Sequence, residues 1–200
     1  MRVIFYCFEP FAFAHDEKQE QIVHTRDALR ELNVEVEYLR WYDERQSGDV
    51  LHFFGRITMD LLDLARESGM KVVVTDWLTK QAAYSRPRLG LQRWIMQILM
   101  GFLPGAVTET FHWRSYQLAD ACIVRTQAEA DLLSVLFGAS PEKVHVVSNG
   151  MDGVFLNTPA PSNGPKSAVW LDEARQLRGI YEKLLRIEDA AAKTYDNDKR

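Results

Sequence analysis

The sequence predicts an α/β protein: a single Rossmann-like, doubly wound parallel sheet with helices on both faces. Three observations lead there. Short apolar, β-rich runs alternate along the chain with longer segments of helical periodicity, the order that builds a parallel sheet through crossover helices. Runs such as VIFYCF and KVVVT are apolar at nearly every position rather than at every second one, as strands covered on both faces are. Glycine and proline fall between these runs, where helices end and strands open.

Taken in order, Val3 to Phe8 reads as the first strand. Glu9-Pro10 ends it, and a loop, FAFAHDEK, leads into a helix over Glu17 to Leu32. Val34 to Tyr38 and Val50 to Phe54 are the next strands. Ile57 to Glu67 is helical, with Gly69 where a helix C-terminus favours it, and Val72 to Thr75 is the fourth strand. Ala121 to Arg125, a helix over Gln127 to Phe137, a turn at Ser140-Pro141-Glu142 and a strand over Val144 to Val147 complete the series. Residues 1–157 thus form the Rossmann-like domain. Residues 158–168, TPAPSNGPKSA, read as a linker by their Pro, Ser, Asn and Gly content. Over 169–188, Trp170, Leu171, Ala174, Leu177, Tyr181, Leu184 and Leu185 recur at spacings of three and four, an amphipathic helix with an apolar stripe to bury. Residues 189–200 read as a polar tail.

The stretch LQRWIMQILMGFL, residues 91–103, stands apart. As a helix it is apolar around most of its circumference, yet it is shorter than the ~20 residues a bilayer crossing needs. Such a helix is either buried or lies at a membrane interface or on a partner. Arg86, Arg88 and Arg93 beside it suit an anionic lipid surface.

Composition narrows the function classes. Of 200 residues, 46% are hydrophobic and 26% charged, the proportions of a soluble globular protein. A net charge of −4 argues against nucleic-acid binding by phosphate neutralisation. Cys7 and Cys122 each lie in a strand-like run and read as reduced core thiols. The histidines at 15, 24, 52, 112 and 145 have no metal-ligand spacing, so no metal site is expected. Arg2-Val3-Ile4-Phe5 already looks like a strand, which leads to the expectation of no secretory leader and a cytoplasmic chain. There is no GxGxxG after the first strand, no GxxxxGK[ST] and no GxSxG, which excludes the dinucleotide, P-loop and α/β-hydrolase signatures.

In an open parallel sheet, ligands bind outside the carboxyl ends of the strands. Those ends are Glu9-Pro10, Gly55-Arg56, Thr75-Asp76-Trp77, Arg125-Thr126 and Ser148-Asn149-Gly150, which gather polar residues and glycines on one rim. Asp76 is a candidate to orient or deprotonate a hydroxyl, or else caps the segment after Trp77. Arg56 and Arg125, with Thr126, are candidates to meet phosphate or acceptor, or else solvate the surface. His15, followed by Asp16, Glu17 and Lys18, stands at the amino end of a helix. There Asp16 caps the helix, or the loop meets a sugar hydroxyl or a phosphate.

The order of these features resembles the amino-terminal domain of a GT-B glycosyltransferase of family 4, the retaining enzymes that use nucleotide-sugars. The likeness runs from Met1 to about Asn157. It is carried by the opening strand, loop and helix, by DVLHFFG (49–55), by MKVVVTDW (70–77), and most by ADACIVRTQAEADLLSVLFGASPEKVHVVSNGMDGVF (119–155). The resemblance implies that this domain holds a hydroxyl-bearing acceptor, a sugar or glycan, while a second Rossmann-like domain holds the donor. It implies that Asn149, Gly150 and Asp152 approach the interdomain hinge. The linker then stands in place of the second domain, whether by engineering or in a natural fragment, and the last helix is the crossover helix that returns to the first domain. On that reading the chain binds no cofactor itself, the nucleotide-sugar belongs to the intact two-domain enzyme, and the lone lobe is catalytically silent. Its partners would be a second-lobe protein or another copy meeting the former interlobe surface. The rival readings are a stand-alone interaction module, or one chain of a two-chain glycosyltransferase, membrane-peripheral through residues 86–103. The sequence departs from the family at Ala12-Phe13-Ala14-His15, where Gly-Gly is frequent, and at Thr75-Asp76-Trp77, where a Thr-x-His-like pattern is common.

Overall fold

The computed structural model describes residues 1–9, 17–78, 86–102, 114–147 and 166–197. The chain is an α/β protein built on one six-stranded parallel sheet in the order β2-β1-β3-β4-β5-β6. The strands are β1 (Arg2–Cys7), β2 (Glu35–Tyr38), β3 (Val50–Phe54), β4 (Lys71–Thr75), β5 (Ala121–Val124) and β6 (Val144–Val146). The helices are α1 (Glu17–Glu31), α2 (Met59–Glu67), α3 (Arg86–Phe102), α4 (Arg114–Leu118), α5 (Gln127–Val135) and α6 (Lys166–Asn197).

The strands that read as continuously apolar are the buried ones. Every residue of β3 and β5 is buried, as are Val72 to Thr75 of β4. Register along the parallel ladder sets Val74 beside Cys122 and Ile123 beside His145. β6, at the edge of the sheet, leaves Val146 exposed.

Local chemistry fixes the element ends. Thr58 caps α2 by accepting from the Leu61 N–H at 3.4 Å. Gly69 follows with φ +78°, a conformation that lets the Met70 N–H reach back to the Ala65 carbonyl and that side chains resist. Asn33 does the same after α1, at φ 60°, tolerated because Asn is among the few residues that visit this region. Asp120 ties β5 to β4: its carboxylate accepts from the Val72 N–H, and its own N–H bonds the Val72 carbonyl.

Contacts divide the chain into two compact units. The first contains the start of β1, α1, β2 and α6. Within it α1 packs on α6. Trp170, Ala174, Leu177 and Tyr181 of α6 are buried, at the predicted spacing, while Leu184 is half-buried. His24 stacks on Trp170 at 5.0 Å, and the buried Glu173 accepts from Thr25 at 3.2 Å. The second unit contains the end of β1 and β3 to β6 with the helices between them. At its centre Phe5 meets Phe54 edge to face at 4.8 Å, and Tyr6 and Phe8 both meet Phe53.

Most element ends fall within two residues of expectation, and the larger differences lie at α3, α6 and α4. α3 begins at Arg86 rather than Leu91, because a proline such as Pro87 fits the first turn, where no N–H partner is required. α6 takes in Lys166 to Ala168 from the expected linker and Asp189 to Asn197 from the expected tail, a stretch carrying Ala190-Ala191-Ala192, the strongest helix formers. α4 was not foreseen; at five residues it is too short to show a period. The remainder of the linker, 158–165, lies outside the described residues.

Candidate functional site

The site is built in the second unit from the segments that leave β3, β4 and β5. After β3 the backbone turns through Gly55 at φ +112°, and its N–H bonds the Thr75 carbonyl at 2.7 Å. That turn delivers Arg56. Its Nε donates to the Tyr116 hydroxyl at 3.0 Å, and its guanidinium lies over the rings of Tyr116 and Phe137, at 5.6 and 5.3 Å. Tyr116 comes from the short helix α4 and is fully buried. Its hydroxyl in turn donates to Asp76 Oδ2, and Asp76 Oδ1 accepts from the Trp77 N–H at 2.8 Å. The result is a guanidinium, a phenol and a carboxylate in series.

Burial drives the Tyr116 phenol well above its ordinary range, and the negative charge of Asp76 pushes the same way, with Arg56 opposing. The phenol is therefore a fixed donor to Asp76 and a fixed acceptor from Arg56, not a base. An ionised carboxylate offers about four acceptor positions, so Asp76 keeps acceptor capacity beyond its Tyr116 and Trp77 bonds. Such a carboxylate can orient an incoming hydroxyl.

At the end of β5, the Arg125 guanidinium lies over the Trp77 ring at 5.8 Å. Its backbone is held by Glu129, a wholly buried carboxylate in the first turn of α5. Glu129 Oε2 accepts from the N–H groups of Arg125 and Thr126, at 2.8 and 3.1 Å, while Oε1 accepts from the Leu78 N–H at 3.2 Å. Thr126 completes the pair as the N-cap of α5, its hydroxyl accepting from the Glu129 N–H. One side chain thus pins the segment after β4 to the turn after β5. That fixes Asp76-Trp77 and Arg125 relative to each other.

Beneath this rim, His52 in β3 is fully buried, stacked on Phe54 at 4.2 Å and bonded to the Thr75 hydroxyl at 2.7 Å. Burial lowers its imidazole to about 3, so it is neutral, and it positions the last residue of β4.

Of the residues singled out from sequence, Asp76 and Arg56 are brought together through Tyr116, and Arg125 and Thr126 are joined through Glu129. Glu17 and Lys18 open α1, in the other unit. His15, Asn149, Gly150 and Asp152 lie outside the described residues. Tyr116, Trp77 and Glu129 received no role from the sequence. Glu129 was detectable, because TQAE at 126–129 has the Thr-x-x-Glu pattern of a capping box. Tyr116 was not, since its partner Asp76 lies 40 positions away. Among the described residues no group of three His, Cys, Asp or Glu side chains is placed to hold a metal ion. No protein-family model matches the chain, and no curated protein matches it.

Proposed function

We propose that this chain is the acceptor-binding lobe of a retaining, nucleotide-sugar-dependent glycosyltransferase of the GT-B type, family 4, with the donor supplied from a second lobe. The observation that carries the reading is the series Arg56–Tyr116–Asp76 at the carboxyl ends of the strands, the edge where open parallel sheets bind ligands. Asp76 is the residue that touches the acceptor. It receives the hydroxyl's hydrogen bond and aims the oxygen, while Tyr116 and Arg56 position the carboxylate. Arg125, over the Trp77 ring, presents a cationic and aromatic surface suited to a sugar ring or an anionic substituent. The burial of the apolar stripe of α6 in the unit that contains α1 fits the returning crossover helix of the resemblance. A lobe without the donor site lacks most of the binding energy that transfer uses, so the chain alone turns over no substrate.

Titration calorimetry tests this with two panels, one of sugars and glycans and one of nucleotides and nucleotide-sugars. Heat from members of the first, lost in Asp76→Asn with an unchanged near-UV spectrum, is the expected result. Micromolar binding of a nucleotide-sugar to the single chain would overturn it.

A further inference from the structure

We propose that α3 docks this chain peripherally on an anionic lipid surface through a stripe formed by Leu91, Trp94, Ile95 and Ile98. The inference stands apart from the acceptor reading and rests on the two faces of one helix. On the first face Leu89 is buried, and Arg93 donates to the Val135 carbonyl at the end of α5 at 3.3 Å. That is the side by which α3 packs on α5. The second face carries residues at i, i+3, i+4 and i+7, which line up along a helix. Leu91 is 58% exposed, Trp94 60%, Ile95 44% and Ile98 41%. Scattered exposed apolar residues are ordinary, but a contiguous helical stripe of four is the mark of a binding face.

Charge selects the occupant. The chain carries a net −4, whereas α3, RPRLGLQRWIMQILMGF, holds arginines at 86, 88 and 93 and no acidic residue. Arg93 is turned to α5, so the basic end is the first turn, where Arg88 is exposed. An apolar stripe containing tryptophan, beside a basic turn and without acids, is the composition of helices that lie in the plane of an anionic bilayer. Tryptophan prefers the boundary between headgroup and acyl chain. No described helix is long and apolar enough to cross a membrane, so α3 lies on the surface.

A second copy of the chain fits less well. Four partly exposed side chains offer on the order of a few hundred Å², against the ~800 Å² per partner of a standard interface.

The test is flotation of the full chain on density gradients with vesicles of phosphatidylcholine alone and of phosphatidylcholine mixed with phosphatidylglycerol. The wild type should float only with the mixed vesicles, and less so at high salt. Trp94→Glu/Ile98→Glu should cut the bound fraction about tenfold, and Arg88→Glu should weaken it. Since these side chains face solvent, the variants should keep the wild-type far-UV spectrum; Leu91→Gln serves as a milder second variant. Failure of the wild type to float with anionic vesicles, or equal flotation of all variants, would overturn the proposal. So would a wild-type dimer, seen by sedimentation velocity, that the double variant converts to a monomer.

Discussion

Replacing Glu129 by glutamine exchanges one carboxylate oxygen for an NH2 group and removes the charge that three backbone N–H groups of the rim share. The wild-type carboxylate is fully buried and accepts from the backbone N–H groups of Leu78, Arg125 and Thr126. A glutamine can place its amide oxygen where Oε2 stands and keep the Arg125 and Thr126 bonds, without the help of charge. Its amide nitrogen must then face the Leu78 N–H, donor against donor. A hydrogen bond to a charged group contributes about 1.5–3 kcal/mol, and a buried group left unpaired costs a similar amount. The expected loss is about 2–3 kcal/mol for Glu129→Gln, and about 4 kcal/mol for Glu129→Ala, which abandons all the donors. With a urea slope of about 2–3 kcal/mol/M for a chain of this size, the glutamine variant should unfold at about 1 M less urea. Far-UV circular dichroism against urea reads this directly, with Glu142→Gln, at an exposed position, as the control. A Glu129→Gln midpoint within ~0.2 M of wild type would refute the view that one carboxylate holds the turns after β4 and β5 together.

Burial has other consequences. His52 is neutral in the folded chain down to about 3, whereas an unfolded imidazole takes up a proton near 6.5. Stability is therefore lost as pH falls below about 6.5 toward 3, by up to ~1.4 kcal/mol per pH unit, or about 2 kcal/mol between pH 7 and pH 5. His52→Gln should remove that part of the slope, and parallel profiles for the two proteins would contradict the assignment. Trp170→Ala removes a buried ring stacked on His24 and should cost about 3–5 kcal/mol, with trypsin cutting α6 early; a wild-type urea midpoint would show that the helix is not anchored there. The Cys122 thiol, buried and pushed up to about 12 mainly by that burial, should resist N-ethylmaleimide until the chain unfolds, while the half-buried Cys7 labels first. Equal labelling of both in native buffer would contradict the burial of β5.

Much of the fold was legible because its signals are local. VLHFF and ACIV are apolar nearly throughout and are buried throughout, and the Trp170–Leu177–Tyr181 spacing foretold the inner face of α6. The strand ends likewise pointed to Arg56, Asp76 and Arg125. The links between those residues were not legible. Tyr116 sits in RSYQL, a segment with no period, and acquires its role only when the residue after β4 meets α4. For the apolar stretch at 91–103 periodicity could state only that the helix was buried or interfacial. Because apolar side chains surround most of the helix, the sequence cannot distinguish Leu89, which is buried, from Trp94, which is exposed.

The proposed acceptor binding at the rim formed after β3, β4 and β5 is open to a residue-by-residue check. A two-dimensional ¹⁵N–¹H spectrum titrated with a binding sugar supplies it, using the Trp77 indole and the Arg56, Asp76 and Arg125 amides as reporters. Shifts should concentrate at those positions and be suppressed in Tyr116→Phe, which removes the bridge between Arg56 and Asp76. Saturable shifts confined to other parts of the chain, with the Trp77 indole unmoved, would contradict an acceptor site on this rim.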